Sequence, residues 1–329
     1  MDTVLVTGSS TGLGLETALH LAGRGFRVFA SLRDLEHRPA VLEAAEQRGV
    51  ALEVVQLDVT DRGSIDSAVS SVIAASGGVF GLVNNAGIGL RGCFEDLNDA
   101  EIRQVFEANV FGTMAVTRRV LPSMRAAGRG RIITITSVGG RIATFGLSAY
   151  CSTKFAQEGF GEALALEVAP FGIQSILIEP GIIKTSRWTV NRGTAANALN
   201  PESPYYAMFR RHEELADRFV ETRKTRPEHV AKAVYRALTA RRPRMRYVVG
   251  RPASVVVALR GLLPDGLFER VYFGALLRHL KGGKGVAVAE PTASARATEG
   301  GSPIPPDSGR EPWPGIVNNE AAFERAEVE

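Results

Sequence analysis

Short runs of β-branched residues alternate with longer helical patterns through most of the first 250 residues, and this alternation limits what the chain can fold into. The strand runs are almost continuously apolar, as strands covered on both faces of a parallel sheet must be. Strand, helix and strand at this spacing require right-handed crossovers, which build a doubly wound α/β sheet with helices on both faces. We therefore predict a mostly parallel, seven-stranded sheet in a single domain. The predicted strands are residues 3–7, 27–32, 51–58, 81–85, 131–137, 174–180 and 246–250.

Composition divides the chain into an α/β part and a C-terminal part. We predict one domain over residues 1–251, in which the irregular segment 185–226 is a substrate lid, because insertions at the carboxyl edge of a sheet commonly cover a ligand; a passive connector is the alternative. Residues 252–281 are predicted to form an amphipathic helical extension. Its pattern fits three roles: packing on the body, a subunit contact, and a membrane interface through 254–281. Residues 282–329 are rich in Gly, Pro, Ser, Ala and acids, and we expect them to be a disordered tail.

Composition also excludes several kinds of partner. Hydrophobic residues make up 45% of the 329 residues and charged residues 22%, the mix of a soluble globular protein. The net charge of +4 comes from scattered residues without a basic and aromatic stripe, so we expect no nucleic-acid partner. The five histidines are scattered, and none stands at ligand spacing from cysteines or acids, so we expect no metal site.

The two cysteines, Cys93 and Cys151, cannot form a disulfide framework, which suits a reducing compartment. No cationic leader precedes the first strand, and no apolar run reaches the roughly 20 residues that span a bilayer. We therefore expect a cytoplasmic protein.

A glycine-rich turn, TGSSTGLG at residues 7–14, joins the first strand to the first helix. Gly8, Gly12 and Gly14 permit a tight turn and a close approach of the backbone to a ligand. The helix that follows presents unpaired amides and the positive end of its dipole to a pyrophosphate. The turn lacks the spacing of G-x-G-x-x-G and the Gly-Lys-Ser/Thr of a mononucleotide loop. Its position predicts a Rossmann-type dinucleotide-binding domain.

This turn resembles the T-G-x-x-x-G-x-G motif of the short-chain dehydrogenase/reductase family, and the resemblance covers about residues 3–250. The family's other motifs appear in order: Asn84-Asn85-Ala86-Gly87 after the fourth strand, Asn109 in the next long helix, Ser137 at the end of the fifth strand, Tyr150 and Lys154 in the following helix, and Pro180-Gly181 with Thr185 after the sixth strand.

Tyr150 and Lys154 stand one helical turn apart on one face. A tyrosine has an ordinary pKa of about 10 and is a poor base at neutral pH. A neighbouring ammonium and a bound nicotinamide both favour the phenolate, so we predict Tyr150 as the general acid and base for a carbonyl or alcohol. The resemblance implies that Lys154 also binds the nicotinamide ribose and that Ser137 holds the reacting oxygen. It also implies that Asn109 binds a water that links Lys154 to solvent.

The end of the second strand predicts which dinucleotide binds. NAD-specific folds place an acid there, which bonds the ribose 2′-hydroxyl and would repel a 2′-phosphate. Here Ser31 and Leu32 stand at that position, and Arg33 follows, whose planar fork suits a phosphate. Asp34 either pairs with Arg33 or faces solvent. We predict NADP(H), with a simple loop cation as the alternative role for Arg33.

Further cofactor contacts are implied by the resemblance. Asp58 and Val59 would meet the adenine, residues 85–87 would lie against the adenosine ribose, and Ile183 and Thr185 would touch the nicotinamide; turn and packing roles are the alternatives. The predicted cofactor-binding set is Gly8, Ser10, Thr11, Gly12, Leu13, Gly14, Arg33, Asp58, Val59, Asn85, Ala86, Gly87, Tyr150, Lys154, Pro180, Gly181, Ile183 and Thr185.

The stretches around the predicted general acid, 88–97, 138–147 and 186–224, offer apolar side chains and few charges for an acidic substrate. The SLRDL turn and the extended C-terminal region resemble the hydroxysteroid and retinol dehydrogenase branch. We therefore predict an NADP(H)-dependent oxidoreductase that interconverts an alcohol and a ketone or aldehyde on a lipophilic, steroid- or retinoid-like small molecule. The predicted substrate contacts are Ser137, Phe145, Leu147, Tyr150 and Trp188.

Two other functions stay open at this point. One is a ketoreductase for acyl or polyketide carbonyls. The other is a nicotinamide-sensing binding protein without catalysis, against which the intact Tyr150 and Lys154 pair argues, since a sensor needs no proton donor. The resemblance also implies a homodimer or homotetramer, formed through the helices predicted at 98–127 and 149–169.

Overall fold

Seven strands form the centre of the computed structural model, which describes residues 1–183, 193–222 and 224–281. The predicted positions of all seven are confirmed, although several strands are shorter than predicted. The strands are β1 Thr3–Val6, β2 Arg27–Leu32, β3 Glu53–Gln56, β4 Gly81–Asn84, β5 Gly130–Ile135, β6 Ile173–Pro180 and β7 Arg246–Val249.

The strand order is β3-β2-β1-β4-β5-β6-β7, and every neighbouring pair is parallel. The order reverses beside β1, because β2 lies on one side of it and β4 on the other. In a parallel sheet this reversal leaves a crevice at the carboxyl ends of the strands, where ligands bind. The predicted Rossmann-type, doubly wound α/β fold is therefore confirmed.

Helices lie on both faces of the sheet. A single helix was predicted over 98–127, but a π-helical turn, Glu107–Phe111, divides it. A π turn holds one residue more than an α turn, which a coarse reading of periodicity does not reveal. The α-helices are α1 Gly12–Ala22, α2 Arg38–Gln47, α3 Arg62–Ser76, α4 Asp99–Phe106, α5 Gly112–Ala126, α6 Ser148–Val168, α7 Tyr206–Thr222, α8 Pro227–Thr239, α9 Arg251–Leu262 and α10 Asp265–Lys281.

Two apolar layers cover the sheet. Along β1, Val4 and Val6 face one side and Leu5 the other, because successive side chains of a strand alternate. Val4 and Val6 pack with side chains of α1 and α8. Leu5 packs with side chains of α3, α5 and α6. Burying each of these side chains contributes about 1.5–3 kcal/mol, so both faces stabilise the strand that leads into the glycine turn.

The C-terminal extension packs on the body through one stripe of α10. Phe268 and Leu280 are buried, and Phe268 stacks on Tyr272 with ring centres 5.3 Å apart. The Tyr272 hydroxyl interacts with Thr144, and Arg211 of α7 donates to the Leu280 carbonyl at 2.7 Å. The extension thus contacts the segment that precedes α6.

The other face of the extension is exposed. α9 has no buried residue, and Leu262 is 79% exposed. Within the described residues, no helix combines the length and apolar character that crossing a bilayer requires. Membrane contact through 254–281 stays a prediction. The predicted tail, 282–329, lies outside the described residues, as do 184–192 and 223 within and beside the predicted lid.

Candidate active site

The glycine turn at the end of β1 requires glycine at three positions. Gly8 and Gly12 have φ of +67° and +62°, which L side chains rarely adopt. A methyl group on Gly8 would lie 2.8 Å from Ala86 Cα, and one on Gly14 would lie 2.2 Å from the Gly8 carbonyl oxygen. The backbone can therefore approach a ligand more closely than any side chain would allow.

The N-terminus of α1 carries no side-chain cap. Thr11 is the residue before the helix, and its hydroxyl makes no capping hydrogen bond. No acidic residue lies in the first turn, which contains Gly12, Leu13 and Gly14. These amides, together with the exposed Thr11 and the half-buried Ser10, fit an anionic pyrophosphate.

Hydrogen bonds join the glycine turn to the end of β4. Thr7 Oγ1 accepts from the amides of Asn85 and Ala86 at 3.0 Å. The Asn85 side chain donates to the carbonyls of Thr7 and Gly8 at 2.9 Å. A methyl group on Gly87 would lie 2.7 Å from Asn109 Oδ1. The Asn85 amide therefore fixes the shape of the turn, a role additional to the predicted ribose contact.

The end of β2 lies against the same turn. Gly8 donates through its amide to Ser31 Oγ at 3.4 Å, and Ser9 donates to the Ser31 carbonyl at 2.8 Å. Arg33 is exposed directly after β2. Asp34 does not simply face solvent, because its carboxylate accepts from the Glu36 amide at 2.8 Å and caps a short helical turn. The sequence pattern did not predict this capping role for Asp34.

Asp58 and Val59 have clear structural contacts. Asp58 Oδ1 accepts from the amide and hydroxyl of Thr60, at 2.9 and 2.8 Å, as the alternative role of a turn acid requires. Val59 packs against α5, since a methyl group on Gly112 would lie 2.9 Å from Val59 Cβ. These contacts hold the end of β3 in place, and the predicted adenine contact stays a prediction.

Pro180 ends β6, and its neighbours turn toward the C-terminal extension. The Gly181 amide donates to the Val249 carbonyl at 3.0 Å, and a methyl group on Gly181 would lie 2.6 Å from Ala253 Cβ in α9. Ile183 is buried. The predicted contacts Thr185 and Trp188 lie outside the described residues.

Tyr150, Lys154 and Ser137 meet at the carboxyl edge of the sheet. Lys154 Nζ lies 5.7 Å from the centre of the Tyr150 ring. A methyl group on Gly139 would lie 3.3 Å from Ser137 Oγ and 3.6 Å from Tyr150 Cε1. The Ser137 hydroxyl accepts from the Gly139 amide at 3.0 Å, which orients it at the end of β5. The structure thus brings together three of the four predicted catalytic side chains.

Asn109, the fourth, is fully buried in the π-helical turn. Its side-chain oxygen accepts from the Ile88 amide at 2.8 Å. Its side-chain nitrogen donates to the Ile88 carbonyl at 3.0 Å and to Thr153 Oγ1 at 3.1 Å. The Asn109 side chain therefore joins the segment after β4 to α6.

Buried thiols near the site are poor nucleophiles. Burial raises the pKa of Cys93 to about 12, and the nearby charge of Asp96 adds to the shift. Burial also raises the pKa of Cys151, the neighbour of Tyr150. The thiolate form is the nucleophile, so neither cysteine is activated for nucleophilic attack. Within the described residues, no cluster of His, Cys, Asp or Glu could hold a metal ion.

The described part of the predicted lid is bound to the loop after β4. Arg91 exchanges backbone hydrogen bonds with Gly193 and Ala195 at 3.0 and 2.8 Å. The Arg91 side chain donates to both carboxylate oxygens of Glu213 in α7 at 2.8 Å, and both residues are buried. Sequence reasoning missed this pair, because no local pattern signals a partner so distant along the chain.

An apolar cluster lies beside the catalytic side chains. The Gly92 amide donates to the Gly146 carbonyl at 2.9 Å, and Leu147 pairs with Gly92 in an isolated β-bridge. Phe145 contacts His212 of α7, with ring centres 5.6 Å apart. Burial, followed by the charges of Arg91 and His279, lowers the pKa of His212 to about 4. The cluster consists of Leu90, Val105, Ala149, Ala195, Ala198 and Phe209, with Ile88, Leu97, Ile102, Phe106 and Phe145 at its edge.

Comparisons with known sequences agree with this geometry. A family model described as short chain dehydrogenase matches residues 2–195. The chain is 36% identical over 270 residues to the oxidoreductase YusZ of Bacillus subtilis, which covers 81% of this chain and 95% of that protein. It is 36% identical over 252 residues to 17-beta-hydroxysteroid dehydrogenase type 1 of Homo sapiens, and the match covers 74% of this chain and 76% of that protein. It is 33% identical over 284 residues to retinol dehydrogenase 8 of Bos taurus, and the match covers 84% of this chain and 90% of that protein.

Solved structures share the fold. A short-chain dehydrogenase from Streptomyces avermitilis superposes with a TM-score of 0.67 at 34% identity, covering 83% of this chain and 98% of that one. A variant of the actinorhodin polyketide ketoreductase, solved with NADPH, gives a TM-score of 0.65 at 29% identity, with coverage of 76% and 95%.

Proposed function

The chain belongs to the short-chain dehydrogenase family of oxidoreductases, and we propose that it is an NADP(H)-dependent enzyme for alcohols and carbonyl compounds. It interconverts a secondary alcohol and a ketone, or an alcohol and an aldehyde, on a lipophilic, steroid- or retinoid-like substrate. The observation that carries this proposal is the meeting of Tyr150, Lys154 and Ser137 at the carboxyl edge of the sheet.

A nicotinamide cofactor, when bound, would supply or receive the hydride. The Tyr150 hydroxyl donates a proton to the carbonyl oxygen during reduction and accepts it from the alcohol during oxidation. Lys154 stabilises the phenolate through its positive charge and binds the nicotinamide ribose. The Ser137 hydroxyl, oriented by the Gly139 amide, holds the reacting oxygen and stabilises its developing charge.

NADP(H) is favoured by the end of β2. Ser31 stands where NAD-specific folds place an acid that bonds the ribose. The Ser31 hydroxyl and carbonyl instead accept hydrogen bonds from the amides of Gly8 and Ser9 in the glycine turn. Arg33 is exposed beside this turn and supplies a planar cation for the 2′-phosphate. Asp34 is held by the Glu36 amide, so its carboxylate already has a structural partner.

A lipophilic substrate is supported by the apolar cluster beside Tyr150, to which Phe145 and α7 contribute. Relatives of this chain are named for hydroxysteroids and retinol. The insertion that carries α7 contacts Phe145 through His212, and we propose it as the substrate lid. We propose Phe145 and Leu147 as substrate contacts, together with Ser137 and Tyr150.

Reduction of an acyl or polyketide carbonyl is a second candidate, favoured by the similarity to the actinorhodin ketoreductase. A carrier-bound substrate requires basic residues at the mouth of the site. Comparing kcat/KM for a free ketone and for the same ketone on a carrier protein separates the two candidates. A preference of tenfold or more for the carrier-bound form would favour the second.

We further propose a homodimer or homotetramer. Phe155 and Leu166 of α6, and Phe111 beside α5, are large apolar side chains that are 45%, 78% and 52% exposed. A subunit contact would bury them. Both cysteines are free, which supports a reducing compartment such as the cytoplasm.

The proposal is tested with the full chain and a panel of steroids, retinoids, fatty alcohols and aryl ketones, assayed with NADPH or NADP+. The matched variant is Tyr150→Phe, which removes only the proton donor. We expect turnover of at least one panel member by the wild type, and a loss of about 10²–10⁴-fold in kcat for the variant with unchanged NADPH affinity. NADPH binding without turnover across the panel would instead favour the nicotinamide-sensing protein.

A further inference from the structure

Gln157 occupies a buried position between Lys154 and the π-helical turn. It stands one helical turn after Lys154 on α6 and is 2% exposed. Its Oε1 accepts from Lys154 Nζ at 2.8 Å. Its Nε2 donates to the Asn109 carbonyl at 2.6 Å and to Thr113 Oγ1 at 3.0 Å. One side-chain amide therefore joins the lysine of the site to the helix that holds Asn109.

The partners fix the orientation of this amide. An ammonium only donates, so it must face the Gln157 oxygen. A backbone carbonyl only accepts, so the Asn109 carbonyl must face the Gln157 nitrogen. Rotating the amide by half a turn would break both hydrogen bonds and place like groups together in a buried site. Gln157 thus presents a fixed acceptor to Lys154, which also donates to the Ile135 carbonyl at 3.1 Å.

The groups of Asn109 are already engaged by the protein. Its carbonyl accepts from Gln157 Nε2 and from Thr113 Oγ1, the latter at 2.8 Å, and a carbonyl oxygen has two lone pairs. Its side-chain nitrogen donates to Ile88 and Thr153. Gln157 therefore joins the Asn109 carbonyl to Lys154 through one side-chain amide, and the water implied by the family resemblance stays a prediction.

We infer that Gln157 is a positioning residue, which orients the Lys154 ammonium toward the cofactor ribose and Tyr150. This inference rests on the proposed function. A carboxamide neither gains nor loses a proton near neutral pH, so Gln157 transmits position from the π-helical turn to Lys154 and carries no proton between them.

The test replaces Gln157 by apolar residues of similar volume that lack its side-chain amide. Gln157→Leu and Gln157→Met are the variants; methionine is included because its flexible chain adapts to irregular gaps in a core. The control is Thr117→Val, which removes a buried hydroxyl that accepts from the Asn84 side chain at 2.9 Å, one helical turn after Thr113. It costs a buried hydrogen bond without touching Lys154.

Three quantities are measured: the melting temperature of the protein without cofactor, the Kd for NADPH by fluorescence titration, and kcat and KM on the best substrate of the panel. A hydrogen bond to a charged group is worth roughly tenfold or more in an equilibrium. We expect both Gln157 variants to weaken NADPH binding and to lower kcat by about tenfold or more, with the KM of the carbonyl substrate within about threefold. Thr117→Val should lower the melting temperature alone.

The outcomes separate this inference from the proposed function. A wild-type chain that binds neither NADPH nor NADH would overturn both. A wild-type chain that binds and turns over, with unchanged Kd and kcat in the Gln157 variants, would overturn the inference alone. Variants that differ from the wild type only in melting temperature, as Thr117→Val does, would assign Gln157 a purely structural role and also overturn it.

Discussion

Arg91 and Glu213 form a buried ion pair in which the guanidinium donates to both carboxylate oxygens at 2.8 Å, and both side chains are about 10% exposed. Arg91 lies after β4 and Glu213 in α7, so the pair fastens the described part of the predicted lid to the body of the domain. A charge left alone at such a site has lost water without gaining a partner. The insertion is therefore held in place by charge as well as by its apolar contacts.

Arg91→Ala should destabilise the protein strongly, because it removes a buried guanidinium that donates to both carboxylate oxygens of Glu213. Breaking one partner of a buried pair costs about 3–5 kcal/mol. Urea unfolding followed by circular dichroism measures the free energy of unfolding. The control is Arg129→Ala, which breaks an ion pair with Asp2 whose members are 56% and 41% exposed; such pairs contribute about 1 kcal/mol or less. Equal losses in the two variants would contradict the role given to the Arg91 pair.

The glycine turn should not tolerate even one methyl group at Gly14. The added carbon would lie 2.2 Å from the Gly8 carbonyl oxygen and 2.5 Å from Asn85 Nδ2, so the turn must open. We expect Gly14→Ala to abolish measurable NADPH binding in a fluorescence titration. The matched control is Gly159→Ala in α6, where a methyl group meets nothing within 4 Å. Alanine stabilises a helix interior by up to about 1 kcal/mol relative to glycine. The NADPH affinity of this variant should stay at the wild-type value.

Arg33 should decide between the two dinucleotides. Arg33→Ala removes the cation proposed for the 2′-phosphate, so the Kd for NADPH should rise about tenfold or more while that for NADH changes less than threefold. Arg125→Ala, at the last turn of α5, is the control for a lost positive charge. If the wild type itself prefers NADH, the assignment of NADP(H) is wrong, whatever the variant does.

Much of this architecture follows from the sequence, and the exceptions have a common cause. The seven strands and the glycine turn are local patterns, because a buried parallel strand or a turn with positive φ restricts the residues within it. The partners of Arg91 and Gln157 are different: Glu213 is 122 residues from Arg91, and the Asn109 carbonyl is 48 residues from Gln157. Periodicity carries no signal for such contacts, since it describes only neighbours along the chain.

The residues around the predicted substrate contacts also have partners that local sequence patterns do not predict. Phe145 was predicted from its position before α6, but its partner His212 and the contact of Thr144 with Tyr272 depend on how α7 and α10 pack. Periodicity did not predict the π-helical turn, because one extra residue scarcely disturbs the apolar pattern of a long helix. The motifs predict which groups react, while packing determines what holds them.

His212 should make stability depend on pH in a defined window. Its pKa is about 4 in the folded chain, lowered chiefly by burial and then by the charges of Arg91 and His279, and about 6.5 in an unfolded chain. Between these values the unfolded state binds more protons, so the free energy of unfolding should fall as the pH drops from 6.5 to 4, by on the order of 2 kcal/mol from this group. His212→Gln should remove that part of the slope, whereas the exposed His37→Gln should not. Identical slopes in all three proteins would show that burial of His212 is not linked to folding.

The outward face of α10 should bind anionic lipid surfaces. Leu267, Val271 and Leu277 are 48%, 58% and 49% exposed, while Phe268 and Leu280 on the opposite stripe are buried. Arg270 and Arg278 stand among the exposed apolar residues at helical spacing and are themselves exposed. Mixing arginines with apolar side chains on one face is typical of a helix that lies in a membrane interface.

Co-sedimentation with vesicles tests this property on the full chain. The wild type should sediment with phosphatidylglycerol vesicles more than with phosphatidylcholine vesicles, because the arginines add attraction to anionic headgroups. Val271→Glu should reduce that binding severalfold, since it places a carboxylate where an apolar side chain would enter the interface. Leu42→Glu on α2, a residue that is 38% exposed, changes the charge equally and should leave binding intact. Full recovery of the wild type in the supernatant with both kinds of vesicle would rule out membrane contact through 254–281 and leave packing and subunit contact as the roles of the extension.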